Sequence, residues 1–285
     1  VFDRSLRWIA WRVGGEILVA ETTMGTVRSR VAVDPRAKVL AIDDDGRPAW
    51  TLDGRLVSPV TVSPPETIAA GSFVGSLLVV VRADATLAVW NGVGWAHLAL
   101  EANEAMVGSV LAHPRRALVC VERFTPQDTS SIDVIDVSGD DPRVLGSLAL
   151  WDVAEIVGFT SDGRALVVLV GGSSLERHEH DALHGGPSAA WHAPPHTRIA
   201  APVGLADDLI VLSLEDEAGE RLLVLSEHLE PRNEWTLPRG AEPMGVVAFD
   251  AHRLGVFRAR GEAEIELSGV RLDDHPSSSA RISRG

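Results

Sequence analysis

A chain of 285 residues, 45% hydrophobic with a mean hydropathy of +0.10, is long enough to bury a core and too apolar to be disordered. Its net charge of −14 argues against nucleic acid and anionic membrane as partners. No apolar run approaches the roughly 20 residues that span a bilayer, and residues 1–30 hold no basic segment leading into a smooth apolar one, so no signal peptide is expected.

In chain order the predicted elements are almost all strands. Short runs rich in Val, Ile and Leu recur between Gly, Pro and Asp: EILVAE, KVLAID, SLLVVV, ATLAVW, ALVCVE, IDVIDV, EIVGF, ALVVLV, DLIVLSL, RLLVLS and RLGVFR. Helical periodicity is nearly absent, so the fold class is all-β. Asp-Gly at 45–46 and 162–163 marks tight hairpins. The three Asp of AIDDDGRPAW lack the alternate spacing of a calcium loop and read as a turn. Cys120, the one cysteine, sits in ALVCVERF as an inert buried thiol, which fits a cytoplasmic chain. One lysine, Lys38, against 25 arginines, with no tyrosine, suggests a high-GC bacterial genome.

A longer period lies over the strands. Gly71, Gly108, Gly158, Gly204 and Gly245 each follow small or apolar residues, at intervals of 37, 50, 46 and 41 residues. Trp11, Trp50, Trp95, Trp191 and Trp235 give a second ruler, with spacings of 39, 45, 96 and 44 residues. The 96 is a double period, its missing member falling in RVLGSLAL. Units of 40–50 residues with four strands are the signature of a β-propeller. One indole per unit is expected to pack between neighbouring sheets rather than to stack on a ligand.

KVLAIDDDGRPAWTL resembles the strand, turn and Trp-strand of quinoprotein-type repeats, and IVGFTSDGRALVVLV resembles the inner hairpin of many WD-repeat-like bacterial propellers. The expected architecture is a single six-bladed β-propeller domain over 1–272, with seven blades as the alternative. The blades run 15–58, 64–100, 104–151, 153–195, 197–240 and 242–272. The N-terminal strand LRWIAWRV is expected to pair into the last blade and close the ring, hiding a sheet edge. Residues 273–285 read as a polar tail or linker.

The stretch 176–196 holds five of the ten histidines. Placed on a third strand over 174–181, Glu176, His178 and His180 share one face by alternation, opposite Arg177 and Glu179. His178 and His180 could ligate one metal, with His184 or His192 completing the set. The competing expectation is a solvated polar strand at the outer part of a blade. GxSxG, Walker, HExxH and paired CxxC motifs are missing. Lactonase-type propellers gather Asn and acidic residues around calcium, whereas the three asparagines here, Asn91, Asn103 and Asn233, have turn or loop contexts. Glu101 and Glu104, and the run Glu215, Asp216, Glu217, read as solvated acidic loops.

These observations favour a non-catalytic propeller without cofactor, a protein-protein interaction scaffold for a partner with a basic or mixed-charge surface. In general appearance the chain resembles the propellers that accompany MoxR-type ATPases and von Willebrand-A proteins in ternary systems. The alternative is a metal- or ligand-dependent enzyme, with its site at the histidines or in the central channel. A third reading is an extracellular sensor or adhesion propeller.

Overall fold

The structure is a computed structural model that describes residues 1, 7–22, 27–58, 67–100, 106–124, 129–206, 209–217, 219–236, 243–250, 253–260, 264–271 and 278–282. Side chains are described as far as Glu234, apart from residues 182, 200–206 and 220. The chain divides into two compact units, Val1–Glu155 and Ile156–Gly285. No helix of the described residues is long and apolar enough to cross a membrane.

The described residues form seven antiparallel sheets in which each strand pairs with the next in the chain. In the first unit the opening sheet is β1 (Trp8–Val13), β2 (Glu16–Glu21) and β3 (Val27–Ala32). The second is β4 (Lys38–Ile42), β5 (Pro48–Leu52) and β6 (Arg55–Val57). The third is β7 (Ile68–Val74), β8 (Leu77–Arg82), β9 (Thr86–Trp90) and β10 (Trp95–Ala99). The fourth is β11 (Met106–Ala112), β12 (Leu118–Phe124), β13 (Ser130–Asp136) and β14 (Arg143–Leu150).

The boundary between the units falls within β15 (Ala154–Phe159), which opens the fifth sheet with β16 (Ala165–Val170), β17 (Ser174–Glu179) and β18 (Ala189–His192). The sixth is β19 (Arg198–Ala206), β20 (Leu209–Asp216), β21 (Gly219–Ser226) and β22 (Pro231–Thr236). The seventh is β23 (Pro243–Asp250), β24 (Arg253–Arg260), β25 (Glu264–Arg271) and β26 (Ser278–Ile282).

Hydrophobic patterning explains the layering. The runs LLVVVR of β8 and ALVVLV of β16 are buried at nearly every position, as strands covered on both faces must be. The last strands alternate or open to solvent: β18 reads half-buried and exposed by turns, and half of β14 is exposed. Within the first unit β1 lies against β4, β4 against β7 and β7 against β11; in the second, β19 lies against β23. First strands therefore neighbour one another, and apolar side chains fill the joints between sheets. Val79, Val81, Val119 and Val121 join the third and fourth sheets. Indoles sit at these joints as expected: Trp50 between the first and second sheets, Trp95 between the second and third, Trp191 between the fifth and sixth.

The repeated glycines mark where first strands are crowded. A Cβ on Gly71 would lie 2.9 Å from the Val79 carbonyl oxygen and 3.1 Å from Leu40 Cδ2. On Gly108, inside the β11 bulge between Val107 and Val110, it would lie 2.4 Å from both Glu122 Oε2 and Phe124 Cε2. Turn bracing also recurs. Asp43, His113 and Thr160, all buried, each follow a first strand and accept the N–H groups of the turn beyond it. Asp43 Oδ1 takes the N–H of Asp45 and Arg47 at 3.0 and 2.7 Å, which confirms the DDDG segment as a turn, with Gly46 at φ 79°. Trp8 covers that turn and donates Nε1–H to the Asp44 carbonyl at 3.1 Å.

The structure corrects several expectations. Residues 15–58, read as one blade, form parts of two sheets, because EILVAE pairs with WIAWRV. The strand pairings of the described residues do not include the expected pairing of the N-terminal strand into the last sheet. Gly14, at φ 54°, and Gly15 make a two-residue turn that joins Val13 to Glu16 and pairs β1 with β2. The last sheet includes a fourth strand, Ser278–Ile282, inside the stretch read as a tail. Asn233 lies within β22 rather than in a turn. Asn103, Glu101 and Glu104, and the side chain of Trp235, lie outside the described residues.

Candidate functional site

The histidine-rich segment begins on β17, which pairs with β16 so that His178 faces Leu166 and Arg177 faces Val167. Alternation holds as expected. On one face His178 Nε2–H donates to Glu176 Oε2 at 2.9 Å. On the other, Arg177 Nη1 donates to Glu179 and, at 2.8 Å, to Ser188 Oγ, while the Ser188 hydroxyl donates to the Arg177 carbonyl at 3.0 Å. Strand geometry ends at Glu179, however, and residues His180–Ala182 form a single 3₁₀ turn. His180 therefore leaves the face it was expected to share with His178. Its Nδ1–H donates to the Arg164 carbonyl at 3.0 Å, and its Nε2 lies 2.7 Å from Asp181 Oδ1.

The expectation of a solvated polar strand is corrected as well. His178 is 3% exposed, His180 and Arg177 8%. Arg177 reaches Ser188 and His180 the Arg164 carbonyl, so these polar groups are buried against neighbouring segments of their own sheet. His184 and His192 are exposed. Among the described residues no three His, Cys, Asp or Glu side chains are gathered to hold a metal ion. One feature of the histidines is left chemically open: His178 Nδ1 is buried without a hydrogen-bond partner. Burying an acceptor unpaired costs about 1–3 kcal/mol, and the Glu176 contact offsets part of it.

The fourth sheet carries the features that sequence reasoning missed. Arg123 and Asp133 form a buried ion pair, Nε to Oδ2 at 2.8 Å and Nη2 to Oδ1 at 3.0 Å, and Ser147 Oγ donates to Asp133 at 2.6 Å. At the same end, β14 leads to Trp151, 94% exposed, followed by the exposed Asp152, the 40% exposed Val153 and the exposed Glu155. Val144 and Leu145 are uncovered along the same strand, at 43% and 52%, and Met106 stands 71% exposed where β11 begins. The Trp151-Asp152 dipeptide was visible in the sequence, but its exposure was not.

No protein-family model matches the chain, and no curated protein does. Solved structures do. The β-propeller domain of Cps50 (Swd1) from Myceliophteria thermophila is 11% identical with a TM-score of 0.64, covering 92% of this chain and 93% of that one. NirN, dihydro-heme d1 dehydrogenase, is 13% identical with a TM-score of 0.65, over 100% of this chain and 65% of that one. BamB from Moraxella catarrhalis is 13% identical with a TM-score of 0.57, over 95% and 87%. Identities this low carry the fold alone. The antiparallel sheets described above are those of a β-propeller.

Proposed function

We propose that the protein is a non-catalytic propeller, each of its seven sheets one blade, that serves as a platform for a protein partner with a basic or mixed-charge surface. The observation that supports this reading is the uncovered apolar edge of the fourth sheet. An indole that is 94% exposed, with Leu145, Val144 and Val153 also uncovered, keeps apolar area in water that a partner would remove. Edge strand β14 has backbone groups on its outer side, and an uncovered edge of that length invites another chain. Trp is the residue type most often central to binding energy. Asp152 and Glu155 beside it, and the net charge of −14, favour a basic counterpart. The resemblance to propellers that accompany MoxR-type ATPases makes such an ATPase the first partner to test.

The test is quantitative affinity capture with wild type and a Trp151→Ser, Leu145→Ser double variant of unchanged melting temperature. Loss of one stoichiometric protein from the variant supports the platform; equal capture by both contradicts it. An enzymatic site at the fifth sheet retains one supporting observation, the unpaired Nδ1 of His178. Metal analysis of protein purified without an affinity tag decides it. Stoichiometric zinc lost on His178→Ala, His180→Ala would favour the enzyme.

A further inference from the structure

The third and fourth sheets do not meet evenly. Their joint is packed with valines along most of its length but opens, at the end formed by the β9–β10 and β13–β14 turns, into a cavity of about 290 Å³. Leu77, Val89, Ala96 and Val137 make an apolar floor, and Asn91 and Asp140 stand on its rim. A Cβ built on Gly139, also on the rim, would meet nothing within 4 Å, so the mouth is open there.

Size and chemistry together select an occupant. The volume lies just below the roughly 300–1,000 Å³ of cofactor and drug-like sites, which suits one long side chain better than a small molecule with its own ring system. An apolar floor under a charged rim matches a side chain with a methylene stem and a cationic head. Asp140 is exposed and makes no ion pair among the described residues. The cation in its own turn is already committed: Arg143 donates to Asp136 Oδ2 from Nε and Nη2, at 3.2 and 3.0 Å. Asn91 Oδ1 accepts the N–H groups of Val93 and Gly94, both at 3.0 Å, which leaves the Asn91 amide N–H groups for an incoming carbonyl. Val93, 90% exposed at the tip of the same turn, adds apolar surface beside the mouth.

We propose that this cavity receives a lysine or arginine side chain from a peptide segment of a partner protein, its stem on Val89, Ala96 and Val137 and its head on Asp140. The proposal rests on the platform reading above and assigns it a second contact, separate from the β14 edge. It names the chemistry of the partner segment: a cation flanked by residues small enough to pass Val93.

The experiment is a nuclear magnetic resonance titration of the full chain with Nα-acetyl-arginine methylamide. Nα-acetyl-citrulline methylamide serves as the neutral isostere, and Nα-acetyl-norleucine methylamide as the apolar control. Saturable shifts of the Ser138, Gly139 and Asp140 amides and the Val89 and Val137 methyls are expected with arginine at about millimolar concentration. Citrulline, and arginine against Asp140→Asn, should bind roughly tenfold more weakly. Ala96→Leu, which fills the floor, should remove the shifts; Asp140, being exposed, supplies the variant that keeps the test valid if Ala96→Leu does not fold. Equal binding of citrulline, tightest binding of norleucine, or no local shifts up to about 10 mM arginine would each overturn the proposal. A partner captured through Trp151 and held equally well by Asp140→Asn would also sink this inference while leaving the platform reading intact.

Discussion

Asp133 accepts from Arg123 and Ser147 in a setting where Asp133 is 2% exposed. A buried ion pair is weak evidence of net stability, but an orphaned partner is costly. Asp133→Ala should therefore lose about 3–5 kcal/mol in urea unfolding, whereas Arg123→Met with Asp133→Leu should lose much less. Equal losses would mean that packing, not charge, sets the cost. Cys120 is fully buried, and burial, then the Asp133 carboxylate, push its thiol well above its usual range. The unfolded chain then releases that proton first, so stability should fall as pH rises above about 8.5, the ordinary thiol value. Cys120→Ser or Cys120→Ala should flatten that alkaline limb, and the native thiol should resist iodoacetamide until the chain unfolds. Asp136 shifts the other way: the Ser138 hydroxyl and N–H, then Arg143, hold it below the ordinary carboxylate range. Its contribution is present above about pH 4 and is lost as pH falls through its lowered value, a dependence that Asp136→Asn should remove from acid denaturation curves.

Recurrence at the level of the hairpin explains what the strand pattern left out. Thr160 Oγ1 accepts the Ala165 N–H at 3.0 Å and donates to Asp162 at 2.7 Å, while Asp162 takes the Arg164 N–H at 2.9 Å. Thr160→Val keeps the shape and removes the acceptor, so it should cost about 1–3 kcal/mol; a change near zero would mean the turn needs no side-chain brace. Gly108→Val is expected to cost at least about 1–3 kcal/mol from overpacking alone, since Glu122 and Phe124 occupy the space. The glycine ruler was readable because crowding of this kind recurs in the first strands of the third and fourth sheets, at Gly71 and Gly108. The bracing residues were not, because Asp, His and Thr all accept N–H groups and no single letter recurs. His113 does it with Nδ1, at 3.0 and 2.9 Å from the Arg115 and Arg116 nitrogens. The same limit hid the fate of His178 and His180. Alternation correctly paired Glu176 with His178, yet nothing in ERHEHDALHGG announced the 3₁₀ turn that takes His180 away.

Across the molecule, the repeat spacing carried the all-β architecture and most sheet boundaries. The third to sixth sheets fall within the expected 64–100, 104–151, 153–195 and 197–240. The ends were less legible: WIAWRV pairs with EILVAE, as the seven-bladed alternative allowed, and SSARI, apolar only at Ala280 and Ile282, forms an edge strand too short in apolar residues to stand out. Surface features were the least legible, because Trp151 and Asp140 gain meaning only from what fails to cover them. The platform reading stands on Trp151, so the most direct measurement is calorimetric titration of the captured partner against wild type and the Trp151→Ser, Leu145→Ser variant. The account expects a negative heat-capacity change for wild type and, for the variant, a loss of affinity of roughly 30-fold or more, the scale of a central interface residue. Equal affinity for both proteins would contradict it.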